Sequence, residues 1–242
     1  MSIHRTFLNW STGKDAALAL HYLRESEHYS VEHLLTSVNA HYNRVSMHGL
    51  RRELMEAQIR ALGLPHSTME LAESPTMEEY NAAMAAAVED LKAQDFTHAA
   101  YGDIFLEDLR NYREQALHAL GVEAVFPIWK RDTRTLLKEF INLGFRAVIV
   151  AADAQKLGED FVGRELDHDF LFDLPKGVDP CGENGEFHTF CFDGPIFSAP
   201  VQFVVGEKVY KEYAAPKKDE AHDSDATMGF WFCDLLPPST TS

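Results

Sequence analysis

The segment from Ser11 to Asp15 reads Ser-Thr-Gly-Lys-Asp and joins an apolar run to the start of a helical pattern. Backbone N–H groups at a helix N-terminus point outward with the positive end of the helix dipole, so they can bind a phosphate. Gly13 allows close approach, Lys14 can neutralise phosphate charge, and Ser11 can donate a hydroxyl hydrogen bond. The spacing of a Walker loop is absent. An N-cap turn with a solvated lysine is therefore the alternative to a phosphate-binding loop.

A second polar run covers residues 182–189 and reads Gly-Glu-Asn-Gly-Glu-Phe-His-Thr. This run contains two carboxylates, an amide and an imidazole within a few residues, from Glu183, Glu186, Asn184 and His188. Such a loop can position Mg²⁺ or an amine, or supply a base. Gly-Glu-Asn-Gly is also good turn chemistry, so a polar surface turn is the alternative.

A third feature is Asp103, which follows the apolar run 97–101. Ligands of open α/β sheets bind outside the carboxyl ends of the strands, which favours a functional role for this carboxylate. Arg110 and Arg113 follow at helical spacing from Glu107, either as functional groups or as part of an exposed salt-bridge ladder. Weaker candidates at the same predicted sheet edge are Arg44, His48, Trp129 and Arg131, since loop histidines are usually solvated and tryptophans usually pack.

Short apolar runs alternate with longer amphipathic ones, a pattern typical of βαβ units and a mainly parallel sheet. The predicted strands are 6–10, 34–38, 67–71, 97–101, 124–128 and 147–151, and the predicted helices are 16–24, 50–61, 80–91, 106–120 and 136–141. The last of these strands is apolar enough to be covered on both faces.

The alternation fades beyond about residue 153. The segments 166–174 and 175–194 are expected to be loop-rich, and three short β-like runs follow at 201–205, 208–213 and 230–235. The charged run 216–227 is expected to be a loop or hairpin tip. The sequence thus predicts an α/β domain at 1–153 and a small α+β appendage at 154–242 that closes over the sheet edge.

Composition limits the classes of partner. The 242 residues carry a formal net charge of -16, from 38 acidic and 22 basic residues, which argues against an extended nucleic-acid footprint but not against a nucleotide. The three cysteines form no CxxC pair and fit no zinc-site spacing, as expected for reduced thiols. No signal-peptide pattern and no apolar run long enough to cross a membrane stands in the sequence, so the expected location is the cytoplasm.

Taken together, the motifs resemble the diphthine-ammonia ligase-like proteins, a branch of the N-type ATP pyrophosphatases in the adenine nucleotide α-hydrolase group. The resemblance covers nearly the whole chain, and the run 179–189 is its most specific part. The residues that carry it are Trp10 to Ala16, Arg44 to Gly49, Tyr101 to Ile104, Trp129 to Asp132 and Asp179 to Thr189. This likeness favours a functional role over a surface turn for the loop at 182–189.

The resemblance implies a Rossmann-like parallel sheet of the HUP type, with ATP and Mg²⁺ as cofactors and an ATP pyrophosphatase domain at 1–153. It implies adenylation of a carboxylate and attack by ammonia, giving an amide, AMP and pyrophosphate. The implied nucleotide-binding residues are Ser11, Thr12, Gly13, Lys14, Asp15, Ser37 and Arg131, with Asp15 also at the metal. The implied catalytic residues are Lys14, Asp103, Glu183, Glu186 and His188. The implied acceptor is a small-molecule or protein carboxylate. No membrane partner is expected for the chain, and whether it forms a homodimer stays open.

Two positions depart from the family's Ser-Gly-Gly-Lys-Asp-Ser pattern. Thr12 replaces a glycine, and because a β-branched residue tolerates positive φ poorly, we expect a wider or differently bent loop. Ala16 removes a serine hydroxyl. These departures motivate a non-catalytic ATP or AMP sensor as an alternative function, beside a nucleotide α-hydrolase that uses water as the acceptor.

Overall fold

The fold comes from a computed structural model that describes residues 3–46, 48–214 and 227–238. The strands are β1 (His4–Asn9), β2 (Tyr29–Asn39), β3 (Arg44–Val45), β4 (His66–Leu71), β5 (His98–Ala100), β6 (Glu123–Val125), β7 (Arg146–Asp153), β8 (Phe187–Asp193), β9 (Val204–Ala214) and β10 (Thr227–Leu236). The helices are α1 (Lys14–Glu25), α2 (Arg52–Leu62), α3 (Met77–Lys92), α4 (Glu107–Ala119), α5 (Thr133–Asn142) and α6 (His168–Asp173).

The first sheet is parallel except for the short strand β3. β1 pairs with β2 on one side and β5 on the other, β2 pairs with β4, and β5 pairs with β6, all in parallel. The strands β2 and β4 therefore lie on one side of β1, and the later strands β5 and β6 lie on the other side. This reversal creates a crevice outside the carboxyl ends of β1 and β5, where α/β proteins bind ligands. The predicted α/β fold with a parallel sheet and a C-terminal appendage is confirmed.

Local sequence explains the helix boundaries around this sheet. Thr76 and Glu79 form a reciprocal capping box at the start of α3, and the Asp132 side chain accepts from the Thr135 N–H at 2.8 Å to start α5. α2 ends at Gly63, whose φ of 67° is the left-handed conformation common at helix C-termini. α1 begins at Gly13, which has no side chain to cap the helix.

The second sheet is antiparallel, with the order β8-β7-β10-β9. The strand predicted at 147–151 was expected to end the parallel sheet, but as β7 it pairs with β8 and β10 instead. Six of its eight residues are buried, so both faces of the strand are covered. Its apolar run therefore resembles that of a central parallel strand, and the sequence does not indicate which strands it pairs with. The two sheets thus divide between β6 and β7.

The C-terminal third contains more regular structure than expected. The segments expected to be loop-rich hold α6 and β8. The end of the run 201–205 and the whole run 208–213 belong to one strand, β9. The predicted loop at 216–227 lies outside the described residues, apart from Thr227, which begins β10. In the described part of the chain, no helix is long and apolar enough to cross a membrane.

One hydrophobic core joins the two sheets. Leu8 of β1, Leu18 of α1, Val148 of β7 and Phe190 of β8 are buried in the same cluster. A second cluster fills the other face of the parallel sheet, around Phe7, Val88 and neighbouring apolar residues. β8 lies against the start of α1, since the Cys191 N–H donates to the Thr12 carbonyl at 2.9 Å. The appendage therefore supplies part of the surroundings of the phosphate-loop candidate.

Candidate functional site

The loop between β1 and α1 has a left-handed residue at its centre. Thr12 has a φ of 73° and is fully buried, so it adopts the conformation usually given to glycine at a cost of about 1–2 kcal/mol. Its carbonyl accepts from the Cys191 N–H at 2.9 Å and from Gln58 Nε2 at 3.0 Å. These contacts hold Thr12 in the left-handed conformation that a β-branched residue disfavours.

Gly13 is required by close packing. A Cβ at this position would lie 2.9 Å from His48 Cε1 and 3.2 Å from the Thr189 carbonyl oxygen. The His48 ring is itself fixed, with Nδ1 at 3.0 Å from that carbonyl and 3.5 Å from Thr12 Oγ1. Since a carbonyl only accepts, His48 carries its proton on Nδ1 when it makes this bond.

Lys14 is buried, with only 3% of its surface exposed. Its ammonium lies 2.7 Å from Asp15 Oδ2, donates to the Cys181 carbonyl, and sits 5.5 Å from the centre of the Phe187 ring. Burial alone would lower the pKa of Lys14, but Asp15 and the other surrounding groups outweigh it and hold the pKa above its ordinary value. The solvated lysine considered as an alternative is therefore excluded.

Two carboxylates lie at the carboxyl edge of the sheet beside this lysine. The Asp15 side chain is 29% exposed, and burial raises its pKa while Lys14 opposes that effect. Asp103 follows Gly102, where a Cβ would lie 2.8 Å from the Asp15 backbone carbon. Asp103 Oδ2 lies 3.2 Å from Arg113 Nη1, and burial raises the pKa of this carboxyl against the effect of that arginine.

Glu183 ties the loop at 182–189 to the end of β5. Its Oε1 accepts from the N–H groups of Ile104 at 2.8 Å and Phe105 at 3.2 Å. Burial raises the pKa of Glu183 to about 7, although these two hydrogen bonds favour the charged form. A carboxyl group with this pKa can exchange a proton near neutral pH.

Glu186 organises its own loop. It is 4% exposed, and its carboxylate accepts from the Asp179 N–H at 3.1 Å, the Asn184 N–H at 2.9 Å and Asn184 Nδ2 at 3.1 Å. The His188 ring centre lies 5.0 Å from that of His48. Burial, then the charge of Lys14, lowers the pKa of His188 to about 4, so its ring is neutral at pH 7.

The remaining predicted residues lie at different distances from the loop. Ser11 Oγ accepts from the Gly13 N–H at 3.4 Å. Ser37 lies near the carboxyl end of β2, the neighbour of β1. Arg131 forms a 2.6 Å ion pair with Glu139 and covers the Tyr22 ring at 5.0 Å, so its guanidinium is engaged between α1 and α5.

The structure thus brings eight of the predicted residues together around the start of α1 and leaves three without a hydrogen bond or ion pair to that region in the described chain. The residues brought together are Ser11, Thr12, Gly13, Lys14, Asp15, Asp103, Glu183 and His188. The other three are Ser37, in β2, Glu186, in its own loop network, and Arg131, in its ion pair.

Two residues of this region were not singled out by the sequence. The Lys14 N–H donates to Thr189 Oγ1 at 3.1 Å, and the fully buried Gln58 side chain links Trp10 Nε1 at 2.7 Å to the Thr12 carbonyl. Thr189 closes the polar run at 182–189, which was a usable signal. Gln58 is a single polar residue within an apolar helix face, and nothing in its spacing indicates that role.

The residues fit the phosphate end of a nucleotide with a hydrated magnesium ion. Asp103 Oδ2 is buried and has no hydrogen-bond partner among the described residues. Within that same part of the chain, no group of three or more His, Cys, Asp or Glu side chains could hold a metal alone. Mg²⁺ usually keeps waters and uses one or two carboxylates with phosphate oxygens, which these side chains can provide.

The fold and this geometry define a class: a Rossmann-like α/β protein whose candidate anion-binding loop joins its first strand to its first helix, at the point where the strand order reverses. Residues 4–124 match the family described as diphthamide synthase N-terminal domain, and residues 132–219 match the diphthamide synthase C-terminal domain. The chain belongs to the diphthamide synthase family. The resemblance inferred from the motifs is confirmed.

Curated relatives share a modest identity with the chain. A diphthine–ammonia ligase of Homo sapiens is 29% identical over 158 residues, covering 60% of this chain and 59% of the relative. One of Danio rerio is 29% identical over 159 residues, covering 58% and 61% respectively. One of Bos taurus is 33% identical over 102 residues, covering 40% and 38%. The chain thus matches about three fifths or less of the length of these relatives.

Proposed function

We propose that this protein is an ATP-dependent ligase that joins ammonia to a carboxylate and releases AMP and pyrophosphate. The names of the relatives support a ligase that uses ammonia, and they make diphthine the first acceptor to test. The observation that carries the proposal is the buried Lys14 ammonium at the N-terminus of α1, between Asp15 and the Cys181 carbonyl. A fixed positive charge at a helix N-terminus suits a pyrophosphate leaving group.

In this proposal the loop residues hold the phosphates. Ser11, Thr12 and Gly13 supply hydroxyl and backbone N–H donors, and Lys14 supplies the charge. Asp15 and Asp103 would hold Mg²⁺, which neutralises charge as the bond between the α and β phosphates breaks. Ser37 and Arg131 keep their predicted roles on the nucleotide side, with Arg131 first leaving its ion pair with Glu139.

The acceptor side of the site is assigned to Glu183 and His188. Glu183 can take a proton from the attacking amine near pH 7, since burial raises its pKa to about 7. His188 is neutral and can accept a hydrogen bond from ammonia. Glu186 acts through the loop that it organises, because loop donors surround its carboxylate.

One observation favours a second function, a nucleotide sensor without turnover. Lys14 is already paired with Asp15 at 2.7 Å, which leaves less positive charge to stabilise a leaving pyrophosphate. A sensor would be stabilised by ATP or AMP, by linkage of binding to folding, without forming products.

Product analysis separates the two functions. The purified chain is incubated with Mg-ATP and ammonium, with and without diphthine-bearing protein and small carboxylates, and AMP and pyrophosphate are measured against ADP and phosphate. We expect AMP with pyrophosphate, increased by a carboxylate and ammonium together. AMP that depends on neither would indicate a hydrolase, and ATP binding without any product would indicate a sensor.

A further inference from the structure

A second cluster of polar groups lies in the crevice between the carboxyl ends of β1 and β5. Asn9 ends β1, and its Nδ2 donates to the Ala100 carbonyl at 3.4 Å, so the two strand ends are joined there. Tyr101 and Asp103 follow β5 directly, and Arg113 reaches them from α4. The crevice is where the strand order reverses, the usual ligand position in this type of sheet.

Arg113 is held by two contacts and donates no hydrogen bond to any described residue. Its Cζ lies 4.1 Å from the centre of the Tyr101 ring, and its Nη1 lies 3.2 Å from Asp103 Oδ2. That contact falls outside hydrogen-bond geometry, since Asp103 Oδ2 is without a hydrogen-bond partner in the described chain. The Arg113 side chain is 24% exposed and none of its nitrogen atoms is a buried unpaired atom, so its N–H donors reach solvent, where a ligand can accept from them.

The orientation of this arginine suits a planar anion. Tyr101 covers one face of the guanidinium, which leaves the donors at its edge free to form paired hydrogen bonds with a carboxylate. Asp103 lies on the side of the phosphate loop, because Gly102 packs against the backbone of Asp15. A carboxylate bound to Arg113 would therefore lie beside the phosphates.

We propose that Arg113 binds the carboxylate of the acceptor in the crevice between β1 and β5. This assignment rests on the proposed ligase function and adds the residue that orients the group to be activated. Asp103 positions the guanidinium, and Tyr101 fixes its plane.

Binding to Arg113 can be followed without turnover. In the full chain labelled with ¹⁵N, the side-chain Nε–H signal of Arg113 is assigned by its loss in Arg113→Gln. Propionate, propionamide of matched shape, and AMP are then titrated separately. We expect propionate to shift the Arg113 signal and propionamide to leave it in place. Arg113→Gln should weaken propionate binding by about tenfold or more, the loss of one charged hydrogen-bonding partner.

Two further variants control for folding and general charge. Arg113→Lys keeps the charge without the paired donors and should bind propionate with intermediate affinity. Arg134→Gln removes an exposed arginine of α5 and should bind like the unmodified chain. Equal propionate affinity in Arg113→Gln, or a shift at Arg113 with AMP alone, would overturn the assignment. If the chain forms AMP but propionate binding does not depend on Arg113, the Arg113 site is wrong and the ligase function stands. If propionate binds through Arg113 but the chain forms no AMP, the ligase function is wrong and the Arg113 site stands.

Discussion

Glu183 is a carboxyl group of the site whose pKa falls near physiological pH. Burial raises its pKa to about 7. Burial, then His188, lowers the pKa of His48 to about 3, and burial lowers the pKa of His188 to about 4, so both rings are neutral at pH 7. Glu183 can therefore change charge near pH 7, whereas the two imidazoles and Lys14 do not.

The pH dependence of folding should report this carboxyl group. Because its folded-state pKa exceeds the ordinary 4.5, Glu183 stabilises the folded chain fully below the unfolded pKa, and this stabilisation is lost as the pH rises through about 7. Glu183→Gln keeps an acceptor for the Ile104 N–H but cannot ionise. Between about pH 5 and about pH 8, we expect the variant to lose less free energy of unfolding than the unmodified chain, by on the order of 1–2 kcal/mol after allowance for partial exposure.

Urea denaturation at the two pH values measures this difference. Glu159→Gln removes an exposed carboxylate from another part of the chain and serves as the control. An identical pH dependence in Glu183→Gln and the unmodified chain would contradict a raised pKa for Glu183.

At the scale of elements, the site depends on how closely the start of α1 approaches the end of β5. A Cβ on Gly102 would lie within 2.9 Å of three backbone atoms of Asp15 and Ala16. Backbone atoms cannot move aside as a flexible side chain can. The glycine therefore sets the distance between the phosphate loop and the segment after β5 that carries Asp103.

Replacing this glycine should separate the two elements. We expect Gly102→Ala to cost about 1–3 kcal/mol of unfolding free energy, as overpacking does, and to weaken ATP binding. Gly63→Ala is the matched control, since its Cβ would meet nothing within 4 Å and only its φ of 67° is strained. That strain costs about 1 kcal/mol. Urea denaturation and calorimetric titration with ATP measure both effects, and an ATP affinity equal to that of Gly63→Ala would count against the close approach.

The order of the elements could be predicted from sequence periodicity, and the partners of some elements could not. The runs that form β1, β2 and α2 show the alternation expected of their class, and the structure confirms them. β7 was placed with the wrong sheet because a strand buried on both faces carries no sign of its neighbours.

The same limit applies to the candidate site. Gly13 and Lys14 stand out because a single short segment holds them. Gln58 contacts the Thr12 carbonyl from 46 residues away, and Thr189 contacts the Lys14 N–H from 175 residues away. Such pairings follow from tertiary packing, which no local spacing reveals. They also explain how Thr12 keeps a glycine-like conformation that its residue type disfavours.

At the scale of the whole molecule, an ion cluster of Arg44, Arg51 and Asp234 joins the two sheets. Asp234 of β10 accepts from Arg44 Nη1 at 2.9 Å and from Arg51 Nη2 at 2.6 Å. Arg44 belongs to β3, and Arg51 precedes α2, so the cluster fixes the segment that carries His48. Burial alone would raise the pKa of Asp234, but the two arginines outweigh it and hold the pKa below its ordinary value.

Removing this charge should loosen the contact between the sheets. A carboxyl group whose pKa is lowered by folding stabilises the folded chain at pH values above its unfolded-state pKa of about 4. This stabilisation is lost as the pH falls through its folded-state pKa. We expect Asp234→Asn to cost about 1 kcal/mol of unfolding free energy at neutral pH, given its partial exposure, and less under acid conditions. Asp173→Asn, which breaks an exposed pair with Arg164, is the control. A cost for Asp234→Asn that stays the same in acid would rule out this charge effect.

The most direct test of the account is the rate of AMP formation by Lys14→Met, which keeps the volume of the side chain and removes its charge. Lys138→Met, on the exposed face of α5, is the control, and thermal unfolding shows that each variant is folded. We expect AMP formation to fall by about a hundredfold or more in Lys14→Met, as when one transition-state donor is removed, and to persist in Lys138→Met. Equal rates of AMP formation in a folded Lys14→Met and the unmodified chain would contradict a catalytic phosphate loop.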